Sequence, residues 1–112
     1  MKLVTTMIKP ARLDDLHQEL ARIGISGMTV TEVRSLGQRR APSEVWRGAE
    51  YAVELLPRYK VEVVVVDPLA EPVVDAIRRI AGNGRLGDGT IFELEVGKVV
   101  RIRTGETDLD AI

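Results

Sequence analysis

The stretch RYKVEVVVVDPLAEPVVDAIRRIAG, residues 58–82, decides the fold because it holds one complete strand-and-helix unit. Residues 58–66 are dense in valine and predict a β-strand. Asp67 and Pro68 follow as a helix N-cap and a first helical residue. Apolar residues then recur every three or four positions and predict a helix that ends at Gly82. These positions are Leu69, Val73, Ala76, Ile77 and Ile80.

The first half of the chain also predicts a strand followed by a helix. Residues 3–8 predict a strand, and an apolar stripe then predicts a helix from Pro10 to Gly24, followed by a strand over residues 28–36. After the second helix, residues 91–96 predict a strand and residues 99–103 a further short one. Two strand–helix–strand halves predict one α+β domain over residues 1–112, a ferredoxin-like βαββαβ sandwich. Its four-stranded antiparallel sheet carries both helices on one face.

The strand over residues 58–66 is apolar on both of its faces. Val61, Val63 and Val65 alternate with Val64 and Val66, yet two helices can cover only one side of the sheet. Each valine left in water forgoes about 1.5–3 kcal/mol of burial free energy. We therefore expect the uncovered face to pack against other copies in a closed homo-oligomer.

Residues 37–57 lie between the two halves and have no sustained periodicity, which predicts a long loop. The only tryptophan of the chain lies there, with one of its two tyrosines. Aromatic side chains on a protruding loop favour a partner-binding role. The residues that we expect to meet a partner are Arg40, Trp46, Arg47 and Tyr51.

Composition excludes several classes of protein. The 112 residues contain no cysteine and one histidine, His17, so disulfide frameworks, thiolate zinc sites and cysteine nucleophiles are excluded. A net charge of −1 provides no basic field for nucleic acid. An RNA-recognition module stacks bases on aromatic residues of its sheet. This class is disfavoured because Tyr59 and Phe92 are the only aromatic residues on predicted strands. No apolar run approaches the roughly 20 residues of a membrane span. With no export signal apparent, we expect a cytoplasmic protein without membrane insertion.

Two clusters suit the binding of an anion. GNGRLGDGT, residues 82–90, has four glycines that allow backbone N–H groups to converge on an anion, although it lacks the lysine and hydroxyl of a P-loop. Arg101 and Arg103 stand two apart, so on a strand they would share one face, and paired guanidinium groups suit phosphate. The alternatives are plain turns and solvent-facing ion pairs with Glu106 and Asp108.

Five ordered blocks carry a family resemblance: KPARLDDL (9–16), GMTVTEV (27–33), WRGAEY (46–51), GRLGDG (84–89) and RIRTGE (101–106). With them the chain resembles the PII signal-transduction family along essentially its whole length. The resemblance implies a trimeric, non-enzymatic nitrogen and carbon sensor whose long loop changes conformation. Its targets would be an ammonium transporter, a nucleotidyltransferase or a metabolic enzyme, and Tyr51 matches a tyrosine that is nucleotidylated in some members.

The resemblance also implies that adenine nucleotide, ATP or ADP, binds between neighbouring subunits. Gly87, Asp88 and Gly89 would wrap the phosphates, and Arg101 and Arg103 would come from the adjoining chain. The implied nucleotide-binding set is Thr29, Gly37, Gln38, Glu62, Val64, Gly87, Asp88, Gly89, Thr90, Arg101 and Arg103. In the family 2-oxoglutarate binds beside magnesium-ATP, and here it would meet Arg39, Arg58 and Gly87.

Several positions depart from the family pattern, among them three that bear on the metal and the ligands. Arg39 stands where a glutamine usually ligates Mg²⁺, which leaves Gln38 as the candidate ligand, because a guanidinium cannot ligate a cation. Thr90 and Arg58 replace lysines. These departures keep open a divergent paralogue that binds ADP, AMP or another anion without sensing 2-oxoglutarate. A small ferredoxin-like phosphotransferase is the alternative from the enzyme class.

Overall fold

The computed structural model describes residues 1–40, 51–84 and 89–112, with the backbone alone described at 37–40 and 51–54. Strand β1 (Lys2–Ile8) leads through a 3-10 turn (Pro10–Arg12) into helix α1 (Leu13–Ile23). Strands β2 (Thr29–Arg40) and β3 (Tyr51–Val65) follow, then helix α2 (Asp67–Ala81) and strand β4 (Ile91–Glu95). A second 3-10 turn (Asp108–Ala111) lies near the carboxyl end.

The strands form one antiparallel sheet in the order β2-β3-β1-β4, which confirms the predicted α+β ferredoxin-like class. Strand β1 places Val4 opposite Val63 in the register with β3. Alternate residues of both strands face the two helices and are buried there. The core comprises Val4, Ile8, Leu16, Leu20, Val61, Val63, Val65, Ala70, Val73, Ala76 and Ile77.

The ends of the helices follow local chemistry, with one correction. Gly24 ends α1 with a φ of 108°, which an L side chain rarely adopts, and its N–H donates to the Ala21 carbonyl at 3.1 Å. Asp67 was expected to be the N-cap of α2, but it is the first residue of the helix and Val66 precedes it without a side-chain cap. The Asp67 carboxylate instead accepts a 2.7 Å hydrogen bond from the Met1 amine, because β1 begins beside the end of β3.

The segment between β2 and β3 is shorter than the predicted loop over residues 37–57. Strand β2 continues to Arg40 and β3 begins at Tyr51, with every residue of β2 paired, from Thr29 opposite Glu62 to Arg40 opposite Tyr51. The hydrophobic pattern does not predict these ends of β2 and β3. The two strands extend beyond the helices there, so neither face of the paired strands needs apolar residues. Leu36 and Leu55, which are opposite each other, are 71% and 58% exposed.

The short strand predicted over residues 99–103 is also wrong. Val100 forms an isolated bridge with Thr107, and a turn closes between them, in which the Gly105 N–H donates to the Arg101 carbonyl at 2.8 Å. Gly105, at the end of this turn, has a φ of 74°. Within the three described ranges, no helix has the length and apolar character that crossing a membrane requires.

Candidate functional site

The glycine-rich stretch begins where α2 ends. The Gly82 N–H donates to the Arg78 carbonyl at 3.1 Å, and Gly84 and Gly89 have φ values of 75° and 89°. A Cβ atom at Gly89 would lie 3.4 Å from the Met7 carbonyl oxygen, so this glycine passes close to β1. The Thr6 hydroxyl fixes the same approach by donating to the Thr90 carbonyl at 2.9 Å. The stretch is therefore tied to the sheet at its second end.

A cleft of about 330 Å³ lies between the end of α2 and this stretch, and we call it the glycine cleft. Its described lining residues are Thr6, Ile77, Arg78, Ala81, Gly82, Gly84, Gly89, Thr90 and Ile91. Gly89 and Thr90, both predicted to bind a ligand, thus line the same cleft. Gly87 and Asp88, predicted with them, lie outside the described residues.

The two arginines of the carboxyl-terminal turn differ in their contacts. The Arg101 guanidinium lies 3.4 Å from the Glu106 carboxylate and donates to the Ala111 carbonyl at 3.5 Å. Arg103 is exposed and has no side-chain partner among the residues that the structure describes. The prediction that both project from one face of a strand is wrong because the chain turns here. The alternative of an ion pair with Glu106 is found for Arg101, whereas Asp108 accepts a hydrogen bond from the Val99 N–H instead of pairing with an arginine.

Arg101 lines a second cleft, of about 520 Å³, which we call the carboxyl-terminal cleft. It lies between the turn that follows α1, the end of β3 and the last residues of the chain. Its lining residues are Gly24, Ile25, Ser26, Gly27, Val64, Val65, Val66, Leu69, Arg101, Ala111 and Ile112.

The glycine cleft and Arg101 stand at opposite ends of the sheet. Gly89 approaches Met7 near the end of β1, whereas the cleft that Arg101 lines includes Val64, which is opposite Leu3 near its beginning. The four residue steps from Leu3 to Met7 span about 14 Å of strand. This separation is several times the roughly 3 Å reach of a hydrogen bond.

Thr29, Glu62 and Val64 were predicted to bind the same ligand, and the register brings them together on the open face of the sheet, away from the helices. Thr29 is opposite Glu62, and Val64 is the next residue of β3 on that face. The Glu62 carboxylate lies 3.8 Å from the Lys60 ammonium. Thr29 therefore shares one accessible surface with Glu62 and Val64, which are distant from it in sequence.

The remaining predicted residues are only partly described. Arg58 lies opposite Val33 on the open face, and its guanidinium donates to the Pro57 carbonyl at 2.7 Å. Four others have a described backbone in the paired ends of β2 and β3: Gly37, Gln38, Arg39 and Arg40, with Tyr51 opposite Arg40. Trp46 and Arg47 lie outside the described residues. Over residues 1–40, 51–84 and 89–112, no group of three histidine or acidic residues is arranged to hold a metal ion.

Two features go beyond what the sequence predicted. The first is the extent of the apolar patch on the open face, where Leu3, Met7, Phe92 and Leu94 join the predicted Val64. Phe92 and Tyr59 lie on opposite faces of the sheet, so they form no shared platform for stacking bases. The second feature is Arg78 in the glycine cleft. Its position four residues before Gly82, in the last helical turn, is the signal that could have indicated it.

Comparison with known proteins identifies the family. A family model described as "Nitrogen regulatory protein P-II" matches residues 1–106. This chain belongs to the P-II family. Nitrogen regulatory protein P-II of Klebsiella oxytoca is 50% identical over 112 residues, and that of Rhizobium meliloti is 51% identical, each with full coverage of both chains.

Solved structures agree with this assignment. The structure of Bacillus subtilis GlnK has a TM-score of 0.82 and 32% identity, with 99% of this chain and 97% of that one covered. The GlnK–ATP complex of the same organism has a TM-score of 0.83 and 30% identity, with coverages of 99% and 94%. The resemblance and the ferredoxin-like fold are thereby confirmed. Membership also makes this P-II chain a nitrogen regulatory signal transducer rather than an enzyme, so the phosphotransferase alternative is set aside.

Proposed function

We propose that this P-II protein is a homotrimer that binds adenine nucleotide between neighbouring copies and controls target proteins through the segment between β2 and β3. The observation that carries the proposal is the separation of the glycine cleft from Arg101 along the sheet. Both clusters suit phosphate, yet within one chain they lie toward opposite ends of the sheet. Two copies packed side by side can bring them to the same phosphate group, one with its glycine cleft and the other with its arginines.

The open face of the sheet supports association between copies. Its apolar patch includes Phe92 and Leu94, which are 51% and 49% exposed. The buried Thr5 hydroxyl on the same face has no hydrogen-bond partner among the described residues, which is costly for a buried polar group. A neighbouring copy would bury the patch and could satisfy this hydroxyl. The ATP complex of the similar Bacillus subtilis GlnK supports ATP as the nucleotide.

Mixed oligomers test whether the site is shared. Arg103→Ala removes a guanidinium, and Thr90→Glu places a carboxylate at the glycine cleft, so each variant alone is expected to bind ATP more weakly than the wild type. If the two clusters come from different copies, co-refolded chains regain some intact sites, because the glycine cleft of the first variant meets the arginines of the second. Isothermal titration calorimetry counts those sites. A mixture that binds no more ATP than its parents would contradict the shared site.

A second candidate is a P-II protein that binds ADP, AMP or another anion and does not sense 2-oxoglutarate. Thr90 supports it because this residue lines the glycine cleft with a neutral hydroxyl. Arg39 supports it because a guanidinium repels the metal that would accompany 2-oxoglutarate. Calorimetry with ATP and Mg²⁺, with and without 2-oxoglutarate, separates the two candidates. Tighter binding of the combination than of ATP and Mg²⁺ alone favours 2-oxoglutarate sensing, and equal binding favours the second candidate.

The control of targets is tested separately from ligand binding. An ammonium transporter, a modifying nucleotidyltransferase and a metabolic enzyme are the partner classes that we expect, with Arg40, Trp46, Arg47 and Tyr51 as contact residues. A ligand can shift the conformation of the connecting segment only by its difference in affinity for two conformations. We therefore expect ATP and ADP to change the affinity for a true target by different factors. Modification of Tyr51 and a cytoplasmic location stay predictions.

A further inference from the structure

The glycine cleft has one positively charged residue among its described lining. Arg78 lies in the last turn of α2, and the other described lining residues are apolar, glycine or threonine. The cleft also faces the carboxyl end of a helix, where backbone carbonyls carry partial negative charge. Glycine N–H groups alone would have to offset that field before the cleft could hold an anion. A cation at this position removes the conflict.

The contacts of the two neighbouring arginines leave Arg78 free for this role. The Arg79 guanidinium lies 2.5 Å from the Glu19 carboxylate of α1, so it is already engaged in an ion pair within the helix layer. Arg78 is exposed, and its side chain forms no ion pair with any residue in the described ranges. Its backbone carbonyl accepts the Gly82 N–H, which holds the arginine next to the start of the glycine-rich stretch.

Thr90 marks the other side of the same cleft and adds no charge. Its carbonyl is taken by the Thr6 hydroxyl at 2.9 Å, which holds the residue at the cleft. A threonine hydroxyl can donate one neutral hydrogen bond to a phosphate oxygen. A charge-assisted bond from a guanidinium is roughly twice as strong as a neutral one. Most of the attraction for an anion in the described part of this cleft must therefore come from Arg78.

We propose that Arg78 is a phosphate-binding residue of the glycine cleft and supplies the cationic contact that Thr90 cannot provide. The ligand class is a di- or triphosphate, such as that of an adenine nucleotide. This inference rests on the proposed function and adds to it one binding residue from the end of α2. It also makes Arg78 and Arg79 functionally different, although they are adjacent and carry the same charge.

The test compares Arg78→Gln with the matched control Arg79→Gln. Both variants remove one positive charge from the same helical turn, so a change in net charge alone affects them equally. We expect Arg78→Gln to weaken ATP binding by about ten- to a hundredfold, the range for one lost charge-assisted contact. Arg79→Gln should leave the ATP affinity within about twofold, because its partner is Glu19. Calorimetry at low and moderate salt gives both affinities, and circular dichroism checks the fold.

A compensating variant and a simpler anion complete the experiment. Thr90→Lys added to Arg78→Gln should restore most of the lost affinity, because it returns a cation to the opposite side of the cleft. Equal ATP affinities for the Arg78 and Arg79 variants would overturn the role of Arg78. The proposal that the protein binds nucleotide would be unaffected by that result. Binding of pyrophosphate tests the role of Arg78 separately from the proposed function. If Arg78→Gln loses the pyrophosphate binding of the wild type, the role of Arg78 is supported even when the wild-type chain does not bind ATP. Failure of the wild-type chain to bind ATP would contradict the proposed function alone. A wild-type chain that binds neither anion overturns both.

Discussion

Arg101 and Arg103 illustrate how two identical side chains acquire different tasks. The Arg101 guanidinium is engaged by Glu106 and by the Ala111 carbonyl, so it stabilises the carboxyl-terminal turn. Glu106 is itself held by the Thr104 hydroxyl, which donates to its carboxylate at 2.7 Å. Arg103 lies on the same turn without a described side-chain partner. We infer that Arg103 is the arginine presented to a ligand and that Arg101 supports the turn that presents it.

Replacing each arginine with alanine should separate these tasks. Arg103→Ala should weaken ATP binding by about tenfold, as for one lost charge-assisted bond, and leave the Tm of the ligand-free protein unchanged. Arg101→Ala should lower both the ATP affinity and the Tm because it also releases Ala111 and Glu106. Calorimetry and thermal denaturation measure the two effects. A fall in Tm for Arg103→Ala as large as that for Arg101→Ala would contradict the division.

Gly89 is the residue at which backbone conformation most limits substitution. Its φ of 89° is unfavourable for any L side chain, and an added Cβ would lie 3.4 Å from the Met7 carbonyl. We expect Gly89→Ala to destabilise the protein by about 1–2 kcal/mol, the usual penalty for a left-handed conformation. Gly97→Ala is the matched control, since nothing lies within 4 Å of a Cβ there. Denaturant unfolding compares the two, and equal losses would refute the explanation by strain.

At the scale of elements, an ion-pair cluster joins the two helices. The Glu19 carboxylate of α1 is bound by Arg22 on its own helix and by Arg79 on α2. The Glu19 side chain is only 16% exposed, so the cluster is partly shielded from water. These guanidinium groups, and above all the hydrogen bonds from Arg22, hold the pKa of Glu19 below its usual value. The cluster complements the apolar contacts that pack α1 and α2 on the sheet.

The stabilisation by Glu19 should depend on pH in a defined direction. Because the folded-state pKa of Glu19 is lowered, its contribution is present above the unfolded-state value of about 4.3 and is lost as the pH falls through the folded value. We expect Glu19→Gln to lower the Tm at pH 7, and we expect this Tm difference to shrink as the pH falls below about 4.3. A Tm difference that stays constant from pH 7 to pH 3 would exclude this linkage. Gln18→Glu, on an exposed neighbouring position, is a control for changed helix charge.

At the scale of the whole molecule, the two faces of the sheet differ, because the helices cover one face and leave the other open. The side toward α1 and α2 contains every residue of the buried apolar core. The open face retains the apolar patch and the unsatisfied Thr5 hydroxyl. The face that lacks a layer of its own is the one on which we expect neighbouring copies to meet.

Charge placed on the open face should disrupt association. Phe92→Glu or Leu94→Glu would introduce carboxylates that cannot be buried without partners, so we expect a shift from trimer to monomer in sedimentation velocity. Glu93→Gln is the control from the same strand, because Glu93 projects to the other face. ATP binding should be lost together with the trimer. A Phe92→Glu protein that remains a trimer would refute the proposed interface.

Sequence alone was sufficient where the determining forces are local. The apolar stripes of the two helices, the glycine that ends α1 and the valine-rich run of β3 all obey periodicities of the backbone itself, and the fold class follows from their order. The extended parts of β2 and β3 were missed because backbone pairing maintains them without an apolar pattern. Only the tertiary structure revealed that the carboxyl-terminal arginines lie on a turn, that Arg78 lines the glycine cleft and that the clusters stand apart. Such facts depend on contacts between residues far apart in the chain, which no local period records.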